Sequence, residues 1–231
     1  MKFVVTAGPT REHLDPVRFL SNPSTGKMGF AVARAAAMRG HEVALVAGPV
    51  SLKTPKGVRR IDVTSAREML AAVEEEMSKA KSVKPTVFVA TAAVADWRPA
   101  KCAARKLKKG QMSGILKLVR NPDILKTVAR RTKTTHSPTH PLTHSPTYLV
   151  GFAAETNDVI AEARRKCREK NLDMIVANDV TEKGSGFGVD TNRVTFVRKD
   201  GSVERLPLMT KLAVARRIVR ECESAAMIVV R

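Results

Sequence analysis

The stretch PTVFVATAAVADWRP (residues 85–99) indicates both the fold and the place of a site. Residues 85–90 form an apolar run rich in β-branched and aromatic side chains, which is typical of a strand buried in a parallel sheet. The run ends in small residues, and Asp96 is the one acid of the stretch. In an open α/β sheet, ligands bind beyond the carboxyl ends of the strands. We therefore expect a ligand site here.

The residues that follow indicate the kind of ligand. A carboxylate such as Asp96 can bind ribose hydroxyls or a metal ion, and Lys106-Leu107-Lys108-Lys109 supplies cations ten residues later. Lysine ammonium groups act as point charges that hold polyphosphates. Together these features favour a nucleotide site.

The composition is that of an ordinary globular protein with an unusual charge. Of the 231 residues, 43% are hydrophobic and 27% are charged, so the chain can bury a sizeable core. The formal net charge is +19, which fits either a polyanionic ligand or a basic surface that aids solubility. Residues 99–133 carry eleven basic residues against one acid, Asp123. We expect this segment to face a polyphosphate.

Cysteine usage and hydropathy bear on the cellular compartment. Three scattered cysteines without metal-ligand spacing are typical of a reducing environment. The apolar start of the chain is too short for a signal peptide and is predicted to form a strand. Because no apolar run approaches the roughly 18 residues of a membrane span, we expect a cytoplasmic protein that does not bind membranes.

Hydrophobic periodicity and turn residues predict an α/β fold: a doubly wound, mainly parallel Rossmann-like sheet with helices on both faces and a C-terminal β-hairpin at Asp200-Gly201. The predicted strands are residues 3–7, 42–47, 58–63, 85–90, 112–119, 147–152, 173–177, 193–197 and 202–206. The predicted helices are residues 26–39, 66–79, 122–131, 157–170 and 211–222. Residues 11–24 are predicted to be a loop.

Helix ends carry specific expectations. Ser65 and Glu68 form a capping-box pattern, and Gly40 follows a helix as a C-terminal glycine. Asn121 is predicted as an N-cap with Pro122 at the first helical position, and Thr156 as the cap of a later helix.

We expect a single domain over residues 1–231, with two dispensable parts. Residues 132–147 are predicted to be a flexible insertion rich in Thr, His and Pro, and residues 223–231 a tail. His136, His140 and His144 recur every four residues, but the intervening prolines forbid the regular helix that would align them on a metal.

Two nucleotide fingerprints are absent, and a weaker anion signal remains. Only Gly8 of a G-x-G-x-x-G pattern follows the first strand, and residues 24–29 lack the upstream glycine of a P-loop. Gly26 still opens a helix, whose free N–H groups attract anions. Asn22 could donate a hydrogen bond to an oxygen that gains charge in a transition state, or simply form the turn before Pro23.

Several motifs, in this order, resemble phosphopantothenoylcysteine synthetase (phosphopantothenate–cysteine ligase) of the bacterial CTP-using type, over residues 3–222. They are GPTRE (8–12), DPVR (15–18), SNPSTGKMG (21–29), AAVADW (92–97), KLKK (106–109), NPDI (121–124), VGFAAE (150–155) and ANDV (177–180). No decarboxylase domain, to which such synthetases are often fused, accompanies them in this chain.

The resemblance implies a two-step ligation in coenzyme A biosynthesis. The carboxylate of 4′-phosphopantothenate attacks the α-phosphate of CTP, which yields an acyl-cytidylate and pyrophosphate. The amine of L-cysteine then displaces CMP. It also implies Mg²⁺ or another divalent cation, a homodimer, and no nucleic acid or membrane partner. Metal binding at Asp96 is part of this expectation.

Site residues are carried over from the matching motifs. The expected nucleotide contacts are Ala92, Ala93, Asp96, Lys106, Pro122, Asp123, Ile124, Leu125, Phe152, Lys166 and Lys170. The expected substrate-binding residues are Gly8, Thr10, Asn22, Ser24, Gly26, Lys27, Ala177, Asn178 and Asp179. Asn22 would act on the acyl-cytidylate and Lys106 on the triphosphate. From local sequence alone, Lys166 and Lys170 are more typical of a solvated helix face, and Asn121 could be a simple cap.

Two other classes of protein remain open at this point. An NAD(P)-dependent reductase fits the early β-α-β pattern but not the missing glycines. A nucleic-acid-binding protein fits the charge but not the 4% aromatic content or the absence of a binding motif.

Overall fold

A computed structural model describes residues 1–79, 85–108, 110, 114–134, 147–155, 157–179, 181–182, 184–186 and 188–229. In chain order the elements are β1 (Lys2–Ala7), β2 (Arg11–His13), β3 (Phe19–Ser21), α1 (Lys27–Met38), β4 (Glu42–Ala47), β5 (Arg59–Asp62), α2 (Ala66–Lys79), β6 (Thr86–Ala90), β7 (Trp97–Pro99), β8 (Leu118–Arg120), α3 (Ile124–Thr134), β9 (Thr147–Glu155), α4 (Val159–Glu169), β10 (Met174–Asp179), β11 (Thr191–Asn192), β12 (Val194–Arg198), β13 (Val203–Arg205), β14 (Met209–Thr210) and α5 (Lys211–Val229).

The central sheet has eight strands in the order β13-β12-β10-β9-β6-β1-β4-β5. The six strands from β10 to β5 run parallel, and β12 and β13 add an antiparallel hairpin at the edge. The chain moves outward from β1 through β4 and β5, then returns to β6 on the other side of β1. This reversal places the topological switch point between β1 and β6, where doubly wound folds bind ligands. The predicted Rossmann-like architecture is confirmed.

Alternate residues of the strands feed two cores. Phe3 and Val5 of β1 pack in a cluster with α1 and α5, whereas Val4 packs in a second cluster with α2, α3 and α4. This period of two is what a strand covered by helices on both faces produces. None of the helices in the described residues is both long and apolar enough to cross a bilayer.

Several local expectations are confirmed. Ser65 Oγ accepts the N–H of Glu68 at 3.2 Å, and the Glu68 carboxylate accepts the Thr64 N–H at 2.7 Å, so the capping pattern operates at the start of α2. Gly40 has φ of 78°, the left-handed conformation that follows a helix end. The Asp200-Gly201 turn joins β12 and β13 as predicted.

The expectations for short and terminal segments need correction. Residues 11–24 contain the β2–β3 hairpin rather than a plain loop. The strand predicted at 112–119 is only β8, which pairs with β7. Residues 223–229 continue α5 instead of forming a tail, and Glu223 accepts hydrogen bonds from Arg39 at 2.6 Å and His41 at 2.7 Å.

The predicted insertion at 132–147 is shorter at both ends, because α3 runs through residue 134 and β9 begins at Thr147. Its remainder, with His136, His140 and His144, lies outside the described residues, as do the predicted cap Thr156 and the motif residue Val180.

Candidate active site

The loop after β6, residues 91–96, is fixed against the segment after β1. Ala93 N–H donates to Gly8 O at 2.9 Å, and Ala95 N–H donates to the Thr10 hydroxyl at 3.0 Å. Thr10 is fully buried. The switch point is therefore closed at its base by backbone bonds, and the small side chains of the loop face two cavities.

The first cavity, which we call the Asp96 cavity, lies between this loop and the start of α3. It is an open cleft whose empty space, counted together with the solvent at its mouth, is about 1060 Å³. Its lining comprises Thr6, Ala90, residues 92–96, residues 121–125, Phe152, Ala154 and Lys170. Asp96 is exposed there. The cavity thus gathers nine of the eleven nucleotide contacts that the sequence predicted, all except Lys106 and Lys166.

The N-cap prediction at this cavity was wrong by two residues. Asp123, not Asn121, caps α3, because its Oδ1 accepts the N–H of Lys126 at 2.9 Å. Asn121 instead donates its amide to Ala95 O at 2.8 Å and so fixes the strand end against the helix start. Both residues can cap a helix, and only the contact with Ala95 separates their roles.

Asp123 also forms an ion pair with Lys170 at 2.8 Å. Burial raises the pKa of Asp123, but the hydrogen bonds from Lys170 and Lys126 outweigh it, so the pKa lies below its usual value. The pair brings an ionised carboxylate and an ammonium group to the cavity wall. Lys170 is thereby placed beside any ligand phosphate that binds at the N-terminus of α3.

The second cavity, the Asn178 cavity, lies between the N-terminus of α1 and the carboxyl ends of β9 and β10. Its empty space, again counted together with the solvent at its mouth, is about 660 Å³. Its lining comprises residues 24–29, 91–93 and 152–154, with Asn178, Gly186, Asn192 and Lys211. Ser24, Gly26, Lys27 and Asn178, which the sequence predicted to bind substrate, line this cavity together.

The packing of α1 explains why its N-terminus comes so close to the sheet. A Cβ on Gly29 would lie 2.4 Å from Thr91 Oγ1 and 2.5 Å from Ala7 Cβ. Gly26 has φ of 76°, and a Cβ there would lie 3.3 Å from the Gly8 backbone. These two glycines let the free N–H groups of the helix approach the cavity.

Two lysines give the Asn178 cavity its charge. Lys27 donates to Gly188 O at 2.9 Å and to Asp190 Oδ1 at 2.7 Å. Lys211 is 6% exposed and donates to Gly186 O at 2.9 Å and Val189 O at 2.6 Å. Burial, and then the neighbouring charge of Lys27, lower the pKa of Lys211. Two cations and a helix N-terminus suit an anionic group.

The two cavities adjoin, because Ala92, Ala93, Phe152 and Ala154 line both. Two ligands, one bound in each cavity, would therefore contact each other beside these four shared residues. Asn22 is exposed and lies at this border, where its amide donates to Ala93 O and Val94 O, each at 3.2 Å.

The remaining predicted residues lie elsewhere among the described part of the chain. Gly8 and Thr10 line neither cavity and instead support the 91–96 loop from behind. Ala177 is buried in the core under α4. Asp179 accepts the N–H of Thr181 at 2.9 Å, and Lys166 forms an ion pair with Glu155 at the end of β9. Substrate contact by Gly8, Thr10 and Ala177 therefore has no support in this geometry.

Lys106 is exposed and lies outside both cavities as the described residues define them. Its neighbour Leu107 is anchored, since Leu107 N–H donates to Asp15 Oδ2 at 3.1 Å and Leu107 O accepts Arg18 at 2.9 Å. Asp15 is completely buried, and the hydrogen bond from Arg18 holds its pKa well below the usual value. The segment that carries Lys106 is thus attached to the rim of the fold.

Sequence reasoning missed Asn192 and Lys211. Both follow the return of the chain through β10, and neither belongs to a recognisable motif. The pairing of β11 with β14 brings Asn192 to the cavity, and Lys211 follows directly after β14 and is held by its hydrogen bonds to Gly186 O and Val189 O. Among the described residues, no group of three or more His, Cys, Asp or Glu side chains is arranged to hold a metal ion.

The fold and this divided cleft define a doubly wound α/β protein with a carboxyl-edge site suited to anionic, phosphorylated ligands. The chain belongs to the DNA/pantothenate metabolism flavoprotein C-terminal domain family, whose model matches residues 1–225. The family resemblance drawn from the motifs is thereby confirmed.

Individual relatives agree with this assignment. The coenzyme A biosynthesis bifunctional protein CoaBC of Vibrio cholerae is 47% identical over 220 residues, which are 94% of this chain and 51% of that protein. The chain therefore spans about half the length of the curated relatives it matches. The crystal structure of the C-terminal domain of CoaBC has a TM-score of 0.76 at 40% identity and covers 99% of this chain and 95% of that one. A Cab2 variant in complex with phosphopantothenate-cysteine shares the fold, with a TM-score of 0.73 at 16% identity, 97% of this chain and 86% of that one.

Proposed function

We propose that the protein is a phosphopantothenate–cysteine ligase of coenzyme A biosynthesis that uses CTP. The observation that carries the proposal is the divided cleft, in which a nucleotide-type cavity with Asp96 and the Asp123–Lys170 pair adjoins a cationic cavity at the N-terminus of α1. A ligation through an acyl-nucleotide needs two anionic ligands whose reacting groups meet. The relatives named for coenzyme A biosynthesis support the choice of reaction.

The proposed chemistry has two steps. A carboxylate oxygen of 4′-phosphopantothenate attacks the α-phosphorus of CTP, a new O–P bond forms, and pyrophosphate leaves. The amine nitrogen of L-cysteine then attacks the acyl carbon, loses a proton as the amide forms, and CMP leaves with the electrons of the broken C–O bond. Neither step needs a nucleophile from the protein, so catalysis rests on positioning and charge stabilisation.

In this proposal CTP occupies the Asp96 cavity. Residues 122–125 offer the N-terminus of α3 to the nucleotide, Phe152 packs against it, and Lys170 neutralises phosphate charge. Lys106 reaches the triphosphate when its anchored segment moves toward the cavity. Lys166, which is paired with Glu155, contributes by exchanging that partner for the ligand.

The phosphorylated acid occupies the Asn178 cavity. Its phosphate binds to α1 and to Lys27, and its carboxylate lies toward Ala92 and Ala93, the residues shared with the nucleotide. Asn22, at this border, exchanges one of its two hydrogen bonds to Ala93 O and Val94 O for one to the acyl oxygen as negative charge develops on that oxygen.

A divalent cation, Mg²⁺ by preference, fits the donor set of the Asp96 cavity. Mg²⁺ is usually held by one or two carboxylates together with substrate phosphates, and Asp96 is an exposed carboxylate in that cavity. When bound, the ion would neutralise charge on the triphosphate. The three free cysteines agree with a reducing, cytoplasmic setting for the enzyme.

We further propose a homodimer, because exposed apolar side chains gather on the two small hairpins. They are Val17, Phe19, Trp97, Ile115, Leu116 and Leu118. The hairpins contact each other through β2 and β7. Large exposed apolar patches mark interaction surfaces.

The double variant Ile115→Asp/Leu118→Asp tests this surface and should be monomeric by light scattering. The control Met38→Asp, at an exposed methionine on α1, should keep the native mass. An unchanged mass for the double variant would exclude this surface as the dimer interface.

The test of the function is pyrophosphate release with phosphopantothenate, cysteine and each of CTP, ATP, GTP and UTP in turn. We expect release with CTP, and 4′-phosphopantothenoylcysteine as the product by mass spectrometry. Omission of cysteine should leave only the first step. Absence of release with every nucleotide would refute the proposal, and release with ATP alone would refute the choice of CTP.

A further inference from the structure

Two buried amide oxygens in the Asn178 cavity have no hydrogen-bond donor. Asn178 is 8% exposed and Asn192 is 3% exposed, and the Oδ1 atom of each is buried without a partner among the described residues. More than nine in ten buried polar groups in proteins are hydrogen-bonded. Because both side chains belong to the lining of one cavity, a ligand bound there is the natural partner of these oxygens.

The nearby cations are already engaged with the protein. The ammonium of Lys27 donates to Gly188 O and Asp190, and that of Lys211 donates to Gly186 O and Val189 O. The free N–H groups of α1 suit an acceptor, not another donor. The ligand must therefore carry N–H or O–H donors close to an anionic group.

We propose that Asn192 is a binding residue for the phosphorylated acid and, with Asn178, accepts hydrogen bonds from its amide or hydroxyl groups. This inference rests on the proposed function, since 4′-phosphopantothenate carries an amide N–H and a hydroxyl along the chain that joins its phosphate to its carboxylate. Asn192 is held in place by the pairing of β11 with β14, where it faces Met209 in register.

A consequence is selectivity for the donor groups of the acid. A site built to hydrogen-bond a substrate donor rejects analogues that lack it, because the buried acceptors are then left unpaired. The cationic half of the cavity would bind any phosphorylated acid of suitable length. The amide pair distinguishes the correct acid from such competitors.

The experiment uses Asn192→Leu, which keeps the shape of the side chain and removes its polar atoms. We expect the melting temperature without ligand to be unchanged or higher, because an unsatisfied buried oxygen is lost. We expect the Kd of 4′-phosphopantothenate, measured by calorimetry, to rise about 10- to 100-fold. The Kd of CTP should change less than about twofold. Asn157→Ala, at an exposed asparagine before α4, is the matched control and should change neither value.

A second measurement keeps the test valid if Asn192→Leu folds poorly. Wild-type protein should bind an analogue of the acid that is methylated at the amide nitrogen, or one that lacks the hydroxyl, at least tenfold more weakly than the parent compound. In a variant that folds, Asn192→Leu or Asn192→Ala, this difference should shrink, as in a double-mutant cycle.

Three outcomes would count against the inference. A lower melting temperature with unchanged affinity would show that Asn192 is structural and that water satisfies its oxygen. Equal affinity of wild type for acid and both analogues would show that no donor is recognised. If the wild-type protein neither binds phosphopantothenate nor releases pyrophosphate, the proposed function itself fails. If the wild-type protein turns over normally and Asn192→Leu leaves the Kd of 4′-phosphopantothenate unchanged, only this inference is overturned.

Discussion

Gly29 allows the sharpest test of how the fold positions the site. Its added methyl group in Gly29→Ala would lie 2.4 Å from Thr91 Oγ1, 2.5 Å from Ala7 Cβ and 2.9 Å from Thr6 O. Ordinary carbon contacts are about 3.5–4.0 Å, so α1 must move away from β1 and β6 by about 1 Å. Overpacking of this kind costs about 1–3 kcal/mol of the free energy of unfolding.

The displacement should also reach the ligands, because α1 carries the N-terminus that lines the Asn178 cavity. We expect a fall in Tm of about 2–12 °C by calorimetry, from the loss in stability and a sensitivity of 2–4 °C per kcal/mol at this chain length. A misplacement of about 1 Å can cost about 100-fold in rate, so kcat/KM should fall more than stability alone explains.

The matched control is Gly114→Ala, at an exposed position where an added Cβ meets nothing within 4 Å. It should change Tm by no more than about 2 °C, as surface substitutions stay within about 0.5 kcal/mol. Thr91→Ala in the Gly29→Ala background should recover only part of the loss, because Ala7 and Thr6 still obstruct the methyl group. A Tm and kcat/KM within error of wild type for Gly29→Ala would refute the packing argument.

Three further predictions concern the proposed catalytic groups and the buried charges. Asn22→Ala should slow amide formation about 100- to 1000-fold while acyl-cytidylate accumulates in rapid-quench assays; normal turnover would remove Asn22 from the mechanism. Lys106→Ala should slow the first step, seen as pyrophosphate release without cysteine, whereas Lys53→Ala on the exposed loop before β5 should not; equal rates for both would exclude Lys106. Glu76 is buried between Lys2 at 3.3 Å and Lys79 at 3.2 Å. Burial raises its pKa, but hydrogen bonds from Arg59 and Lys79 outweigh this and lower it. The resulting stability is present above the unfolded pKa of about 4.3 and is lost as pH falls through the folded value. Glu76→Gln should therefore lower the free energy of unfolding at pH 7 by about 3 kcal/mol. Below pH 4, the free energy of unfolding measured by urea titration should decline less in this variant than in the wild type; identical pH profiles would contradict this.

The parallel strands and their helices were predictable because local pattern and tertiary environment agree. The run from residue 85 to 90 is apolar on both faces since helices cover both faces, and Ser65 and Glu68 cap α2 with atoms only three residues apart. The four residues of the NPDI motif all line the Asp96 cavity, although the motif did not distinguish Asn121 from Asp123 as the cap. That distinction depends on Ala95, a neighbour 26 residues away.

The other failures share this dependence on distant partners. The end of α5 is secured by Glu223, which accepts hydrogen bonds from Arg39 and His41, more than 180 residues earlier in the sequence. Asn192 sits between a loop and a hairpin, and nothing in its own segment marks it as buried. Gly8 and Thr10 were expected to contact substrate because they belong to a motif shared with the family, and that expectation stays a prediction. Their actual partners are the backbone groups of Ala93 and Ala95.

The lysines that hold the carbonyls of residues 186, 188 and 189 have a further consequence for affinity. Their side chains are immobilised and partly dehydrated before any ligand arrives, so association need not freeze them anew. Such preorganisation lowers the entropic penalty of capturing an anion. It also links these bonds to occupancy, because an anion that draws either ammonium group toward itself must break that group's bonds to the carbonyls, whereas an anion that leaves the bonds intact meets lysines that are already positioned.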